Sequence, residues 1–156
     1  MPDRHDERYV KEAVENALAN LINEDYQLLQ NDANERSITH KLAEHLRPQF
    51  PTWHIDCEYN RDGADPKRVH LSPIQVASDD DTGETAYPDI IVHERGTSNN
   101  LLVIEAKKDT NSSDRAVRND KRKLGAYKKE LGYTFGLFLK FNTGDNYKVR
   151  PIEEWT

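Results

Sequence analysis

Tyr87-Pro88-Asp89-Ile90-Ile91-Val92 and, after a short polar break, Leu101-Leu102-Val103-Ile104-Glu105-Ala106-Lys107-Lys108 decide how this chain folds. Both runs have strand length and strand composition, and both carry charge where a buried strand should have none. Side chains on a strand alternate faces with a period of two, so Glu105 and Lys107 point one way and Ala106 the other. Asp89 stands at the mouth of the first strand, and the Gly96–Asn100 stretch reads as the hairpin loop between the two. Pairing the runs brings two carboxylates and one ammonium to one end of a sheet.

Working outward, Tyr9 to Leu29 reads as an amphipathic helix, with Val10, Val14, Leu18, Leu21 and Ile22 at helical spacing. A second helix runs to about Leu46, capped by Asn31 or Asp32 and ended by Arg47-Pro48. On it Glu35, seven residues before Leu42, lies close to the inward face; a glutamate in a first turn also complements the helix dipole. Trp53, Ile55, Cys57 and Tyr59 alternate with polar residues as a strand would, and Val69–Val76 is a further candidate, interrupted by Pro73. The polar stretch Ala77–Ala86, with Asp79-Asp80-Asp81, reads as a loop, and the acidic run lacks the ligand alternation of an EF-hand. Beyond the decisive pair come a helix from Ser113 to Leu131 stopped by Gly132, a strand over Tyr133–Phe141, and a short edge strand over Tyr147–Ile152 ending at Pro151. That order predicts a single α/β domain over residues 1–156, a mixed sheet flanked by helices, with no internal repeat.

Composition narrows the setting. Of 156 residues, 35% are hydrophobic and 32% charged, which gives a modest core beneath a heavily ionised surface. One cysteine, Cys57, forms no intrachain disulfide and favours a reducing, intracellular compartment. The first residues lack the apolar stretch of a signal peptide, and no run approaches the roughly 20 apolar residues of a membrane span, so a cytoplasmic location is expected. The net charge of −6 argues against a general nucleic-acid binder, but it conceals a division. Lys107 to Lys129 holds nine basic and three acidic residues, whereas Gln75–Glu94 holds six carboxylates and neither Lys nor Arg. A solvated helix face is the plainer account of the basic run. Its position beside an acidic strand end is also what a metal-dependent phosphodiesterase requires.

The chemistry of those residues points the same way. Magnesium takes oxygen ligands, commonly one or two carboxylates with water and substrate phosphate completing the shell. Asp89 and Glu105 supply carboxylates, and the carbonyl of Ala106 a neutral oxygen. Without a cation the two acids raise each other's pKa. Lys107, on the face of Glu105, can orient a water or neutralise charge on a phosphorane. Glu35 can reach the same place from its helix, to help hold a second ion or to fix a water ligand.

At Pro88-Asp89 and, after fifteen intervening residues, Glu105-Ala106-Lys107, the chain resembles the PD-(D/E)xK nuclease superfamily. The likeness extends from the Glu35 helix to the Phe141 strand. It implies a restriction-endonuclease-like core of αβββαβ order with an extra N-terminal helix. It also implies metal ligation by Asp89 and Glu105, catalytic assistance by Lys107 and accessory metal binding by Glu35. RecB-like members carry Gln-x-x-x-Tyr on the following helix; Lys123 and Tyr127 have that spacing here, with lysine in place of glutamine.

The expectation is a magnesium- or manganese-dependent nuclease acting on DNA, most simply an endonuclease. Lys108, Arg118, Lys121, Lys123 and Tyr127 are its expected nucleic-acid contacts. A catalytically weak nuclease-fold module that binds nucleic acid or a partner protein remains open, as does a ribonuclease. With no helix-turn-helix or zinc finger, specificity would come from a partner or from a homodimer, for which the apolar stripe of the first helix offers a surface. Glu58, Asn60 and Arg61 either line the cleft or form a structural ion pair. His40, His54, His70 and His93 show no ligand or nucleophile pairing and read as surface or packed histidines.

Overall fold

The Leu101–Lys108 run forms the spine of the molecule. In the computed structural model, which describes residues 6–57, 69–70 and 85–156, it lies within a nine-residue strand at the centre of a five-stranded sheet. The helices are α1 (Glu7–Glu24), α2 (Tyr26–Gln30), α3 (Glu35–Leu46) and α4 (Asp114–Leu131). The strands are β1 (His54–Cys57), β2 (Val69–His70), β3 (Thr85–Ala86), β4 (Ile90–His93), β5 (Asn100–Lys108), β6 (Phe135–Phe141) and β7 (Ile152–Trp155).

The main sheet runs β1-β4-β5-β6-β7, and β2 and β3 pair separately. β4 runs antiparallel to both β1 and β5, β6 lies parallel to β5, and β7 returns antiparallel to β6. The parallel step is the one that needs a crossover, and α4 supplies it. The protein is therefore an α/β fold, a mixed sheet packed against helices with additional helices at the N-terminal side.

Alternation along β5 sorts its side chains between two cores. Leu102, Ile104 and Ala106 pack with Val10, Val14, Leu21 and Leu42 from α1 and α3, whereas Val103 packs with Leu124 and Tyr127 from α4. Buried on both faces, β4 and β5 must be apolar almost throughout, which is why they read as continuous hydrophobic runs. The α1 stripe, Val10, Ala13, Val14, Ala17, Leu18 and Leu21, is spent on the chain's own core.

Several sequence expectations shift. The Tyr9–Leu29 helix is two helices, because Asp25 leaves helical geometry and takes His45 Nε2 at 2.7 Å. Asn34, rather than Asn31 or Asp32, caps α3, accepting from Ser37 N at 2.8 Å; Asp32 instead adopts a left-handed φ of 55°. Asn100 belongs to β5 and not to the hairpin loop, and its amide donates to the carbonyl of Leu131, tying the strand to the end of α4. The last strand begins at Ile152, where the sequence placed its end: Gly144–Asn146 form a 3₁₀ turn closed by Tyr147, and only beyond Pro151 can the chain pair along β6. The Val69–Val76 strand and the Ala77–Ala86 loop fall largely, and Glu58, Tyr59, Asn60, Arg61 and Asp79–Asp81 entirely, outside the described residues. Among the described residues no helix is long and apolar enough to cross a membrane.

Helix α4 starts at the Ser113 cap and stops at Gly132, whose φ of 73° is left-handed. A Cβ at Gly132 meets no atom within 4 Å, so substitution there costs backbone strain alone. Gly132→Ala is expected to lower unfolding free energy by about 1 kcal/mol, read from the urea midpoint; an unchanged midpoint contradicts this account.

Candidate active site

Antiparallel register places Asp89 immediately before the Ile90↔Ile104 pair, opposite the Glu105 end of β5. The two residues clasp one another through the backbone. Asp89 N donates to Glu105 Oε2 at 3.2 Å, and Ala106 N donates to Asp89 Oδ2 at 2.9 Å. A strand edge that would otherwise leave two donors unsatisfied is closed by the two carboxylates.

Charge then accumulates. Glu105 is 3% exposed. Its carboxyl is held well above the usual range by burial first and then by Asp89 and Asp120. Asp89 is pushed up to about 6, by desolvation first, with the charges of Asp120 and Glu35 adding to it while the Ala106 N–H and Lys123 oppose it. Asp120, on α4 and 4% exposed, is raised by burial against the pull of Lys107 and Lys123.

Lys107 sits on the Glu105 face of β5, and its ammonium lies 3.3 Å from Asp120 Oδ2. Lys123 reaches the other oxygen of Asp120 at 3.9 Å. Tyr127 lies beneath, fully buried, its hydroxyl beside Glu105 with no hydrogen bond of ordinary geometry. Burial first, then Glu105 and the other carboxylates, pushes that phenol well up.

Glu35 arrives from the opposite layer. From the sheet-facing side of α3 it caps the exit of β5: its Oε2 accepts from Lys108 N at 3.0 Å and from Asn111 Nδ2 at 2.9 Å. Nearby, Asp32 pairs with Lys108 Nζ at 3.0 Å, and Asp109 accepts from the hydroxyl of Thr143 at 2.7 Å. The end of β5 is thus fixed from α3, from the turn before α3 and from the segment that follows β6.

Sequence-expected site residues divide accordingly. Asp89, Glu105, Lys107 and Lys123 converge, with Glu35 close enough to share their field. Ala106 contributes its N–H to the clasp. Lys108 is turned to Asp32, and Lys121 to Glu154 on β7 at 2.5 Å, over the ring of Phe138. Tyr127 lies too deep to meet a phosphate, a correction to its expected role as a surface contact: on the inward face of α4, ring area goes to the core. Arg118 stands exposed on α4.

Asp120 was missed. Its signal is its place in the stripe Val117, Leu124, Tyr127 and Leu131, an acid at 3-4 spacing among apolar residues. A second cluster lies at the far end of β4. There His93 Nε2 meets Asp56 at 2.6 Å, and Arg95 holds the same carboxylate through two nitrogens, drawing Asp56 well below the usual range. His54 accepts from Arg95 N. This is a packed ion pair, as expected for histidines without ligand spacing.

The donor set suits a hard divalent cation. Glu35, Asp89, Glu105 and Asp120 oppose Lys107 and Lys123, leaving two formal negative charges in one buried field when all are ionised. Among the described residues no three His, Cys, Asp or Glu side chains converge to hold a metal by themselves. Asp89 and Glu105 make a two-carboxylate site, the kind that magnesium completes with water and substrate oxygens. In comparison with known proteins, no family model, curated protein or solved structure matches this chain.

The upward carboxyl shifts fix a sign. A native state that binds protons more tightly than the unfolded chain is most favoured below the ordinary aspartate value of 3.8, and loses that advantage as pH rises through about 6. Asp89→Asn, which keeps the acceptor for Ala106 N, is expected to stabilise the protein at pH 8 by about 3 kcal/mol relative to wild type. At pH 3 the difference should vanish. Denaturant titrations at the two pH values check both.

Proposed function

We propose that the protein is a divalent-metal-dependent nuclease that hydrolyses phosphodiester bonds, with DNA as substrate and internal cleavage as its mode. The single observation that carries this is the Asp89–Glu105 clasp on adjacent strands, with Lys107 one strand repeat further on the same face. The order α3, β1, β4, β5, α4, β6, with α1 and α2 preceding it and β7 added, supports the reading as a restriction-endonuclease-like core.

Asp89 and Glu105 are the carboxylates that would hold magnesium or manganese, with the Ala106 carbonyl as a further oxygen source; Glu35, expected as an accessory ligand, is instead engaged by Lys108 N and Asn111. When bound, the ion supplies a water of lowered pKa and neutralises charge on the phosphate. Lys107 offers a partly buried ammonium on the Glu105 face of β5, where a cation acts on a developing negative charge with reduced screening by water. Glu35 keeps the Lys107–Lys108 end of β5 in place through the Lys108 N–H, so that the two strand residues and the ammonium hold a fixed relation. Lys123 and exposed Arg118 offer positive charge from α4 to the flanking phosphates.

Supercoiled plasmid incubated with magnesium or manganese is expected to be nicked or linearised by the wild-type protein. Asp89→Ala, Glu105→Gln and Lys107→Ala should each lower the rate about 100-fold or more. Equal cleavage by the variants overturns the assignment. Stoichiometric DNA binding without turnover in either metal would instead favour a binding module, and parallel single- and double-stranded DNA and RNA substrates separate the nucleic-acid classes.

A further inference from the structure

Helix α4 keeps a carboxylate where its stripe should be apolar. Asp120 is 4% exposed, flanked on its face by Val117, Leu124 and Tyr127. A buried carboxylate persists only where cations or donors compensate it. Here each oxygen has its own ammonium: Oδ2 takes Lys107 at 3.3 Å and Oδ1 takes Lys123 at 3.9 Å.

Lys107 has another anion within reach. Glu105 stands two residues back on the same strand face, about 7 Å along the chain, and the four-carbon stem of lysine spans such a gap. Lys107 is nonetheless drawn across to α4, and Glu105 keeps its bond to Asp89 N. An ammonium closing on Asp89 and Glu105 would neutralise the carboxylates that a divalent cation needs. Asp120 offers it the alternative.

We propose that Asp120 is the positioning residue of the site, holding the Lys107 ammonium against α4. Asp89 and Glu105 thereby stay open to the metal, and the ammonium faces the phosphate from a fixed place. This rests on the nuclease function proposed above. Asp120 touches neither the substrate nor the metal in this scheme; the loss expected from removing it passes through Lys107, the closer of its two ammonium partners.

The test is a double-mutant cycle in plasmid cleavage over a manganese series, with thermal melts as a folding control. Asp120→Asn is expected to lower kcat about tenfold and to weaken several-fold the manganese affinity measured calorimetrically in the absence of DNA, with KM for DNA within about twofold. Combined with Lys107→Ala, it should add no further loss. Losses that multiply in the double variant, or an Asp120→Asn protein within twofold of wild type, overturn the assignment and leave the nuclease function standing. Should Asp120→Asn fail to fold, Lys107→Ala/Asp120→Leu removes both charges together. It is expected to match Lys107→Ala, and a further large loss overturns the assignment. A wild type that cleaves no nucleic acid in either metal overturns the nuclease function and this assignment together.

Discussion

Two hydrogen bonds join the mouth of β4 to the end of β5, Asp89 N to Glu105 and Ala106 N to Asp89. Each carboxylate satisfies a backbone donor of the other strand, and each is pressed into surroundings that disfavour its charge. Most of the molecule around them answers that constraint. Removing one member would orphan a buried donor as well as an acid, so the pair belongs to the sheet as much as to any reaction.

The compensation comes from both layers. From one face α4 brings Lys123 and, through Asp120, anchors Lys107; from the other, α3 sends Glu35 around the strand end to the Lys108 N–H. β5, the longest strand among the described residues, serves both cores and still projects charged residues beyond them. Its C-terminal end is therefore where rigid scaffold and polar chemistry meet. Repelling acids remain there at a cost in stability, a pattern expected where local rules yield to function.

How much of this was legible in the sequence depended on what each residue answers to. Ser113 and Gly132 bound α4 as read, because capping and left-handed turns are local events. Glu105 and Lys107 share a face because alternation is a property of the strand alone. Asn34 replaced Asn31 and Asp32 as the cap of α3 because the chain turns at Asp32 to meet Lys108 and Thr110, residues more than seventy positions away. β7 moved past Pro151 because its partner, not its own composition, sets where it starts.

The sequence by itself determined the element order, the apolar faces, and the presence of Asp89, Glu105 and Lys107 at one end of a sheet. These follow from periodicities of two and 3.6 and from turn chemistry, which act over a few residues. Only the tertiary structure decided which charges meet. Asp120 became the partner of Lys107, Lys108 was taken by Asp32, Lys121 by Glu154, and Tyr127 was buried beneath Glu105. Such pairings depend on distances across layers and on loss of water, and neither is written in the spacing of any one segment.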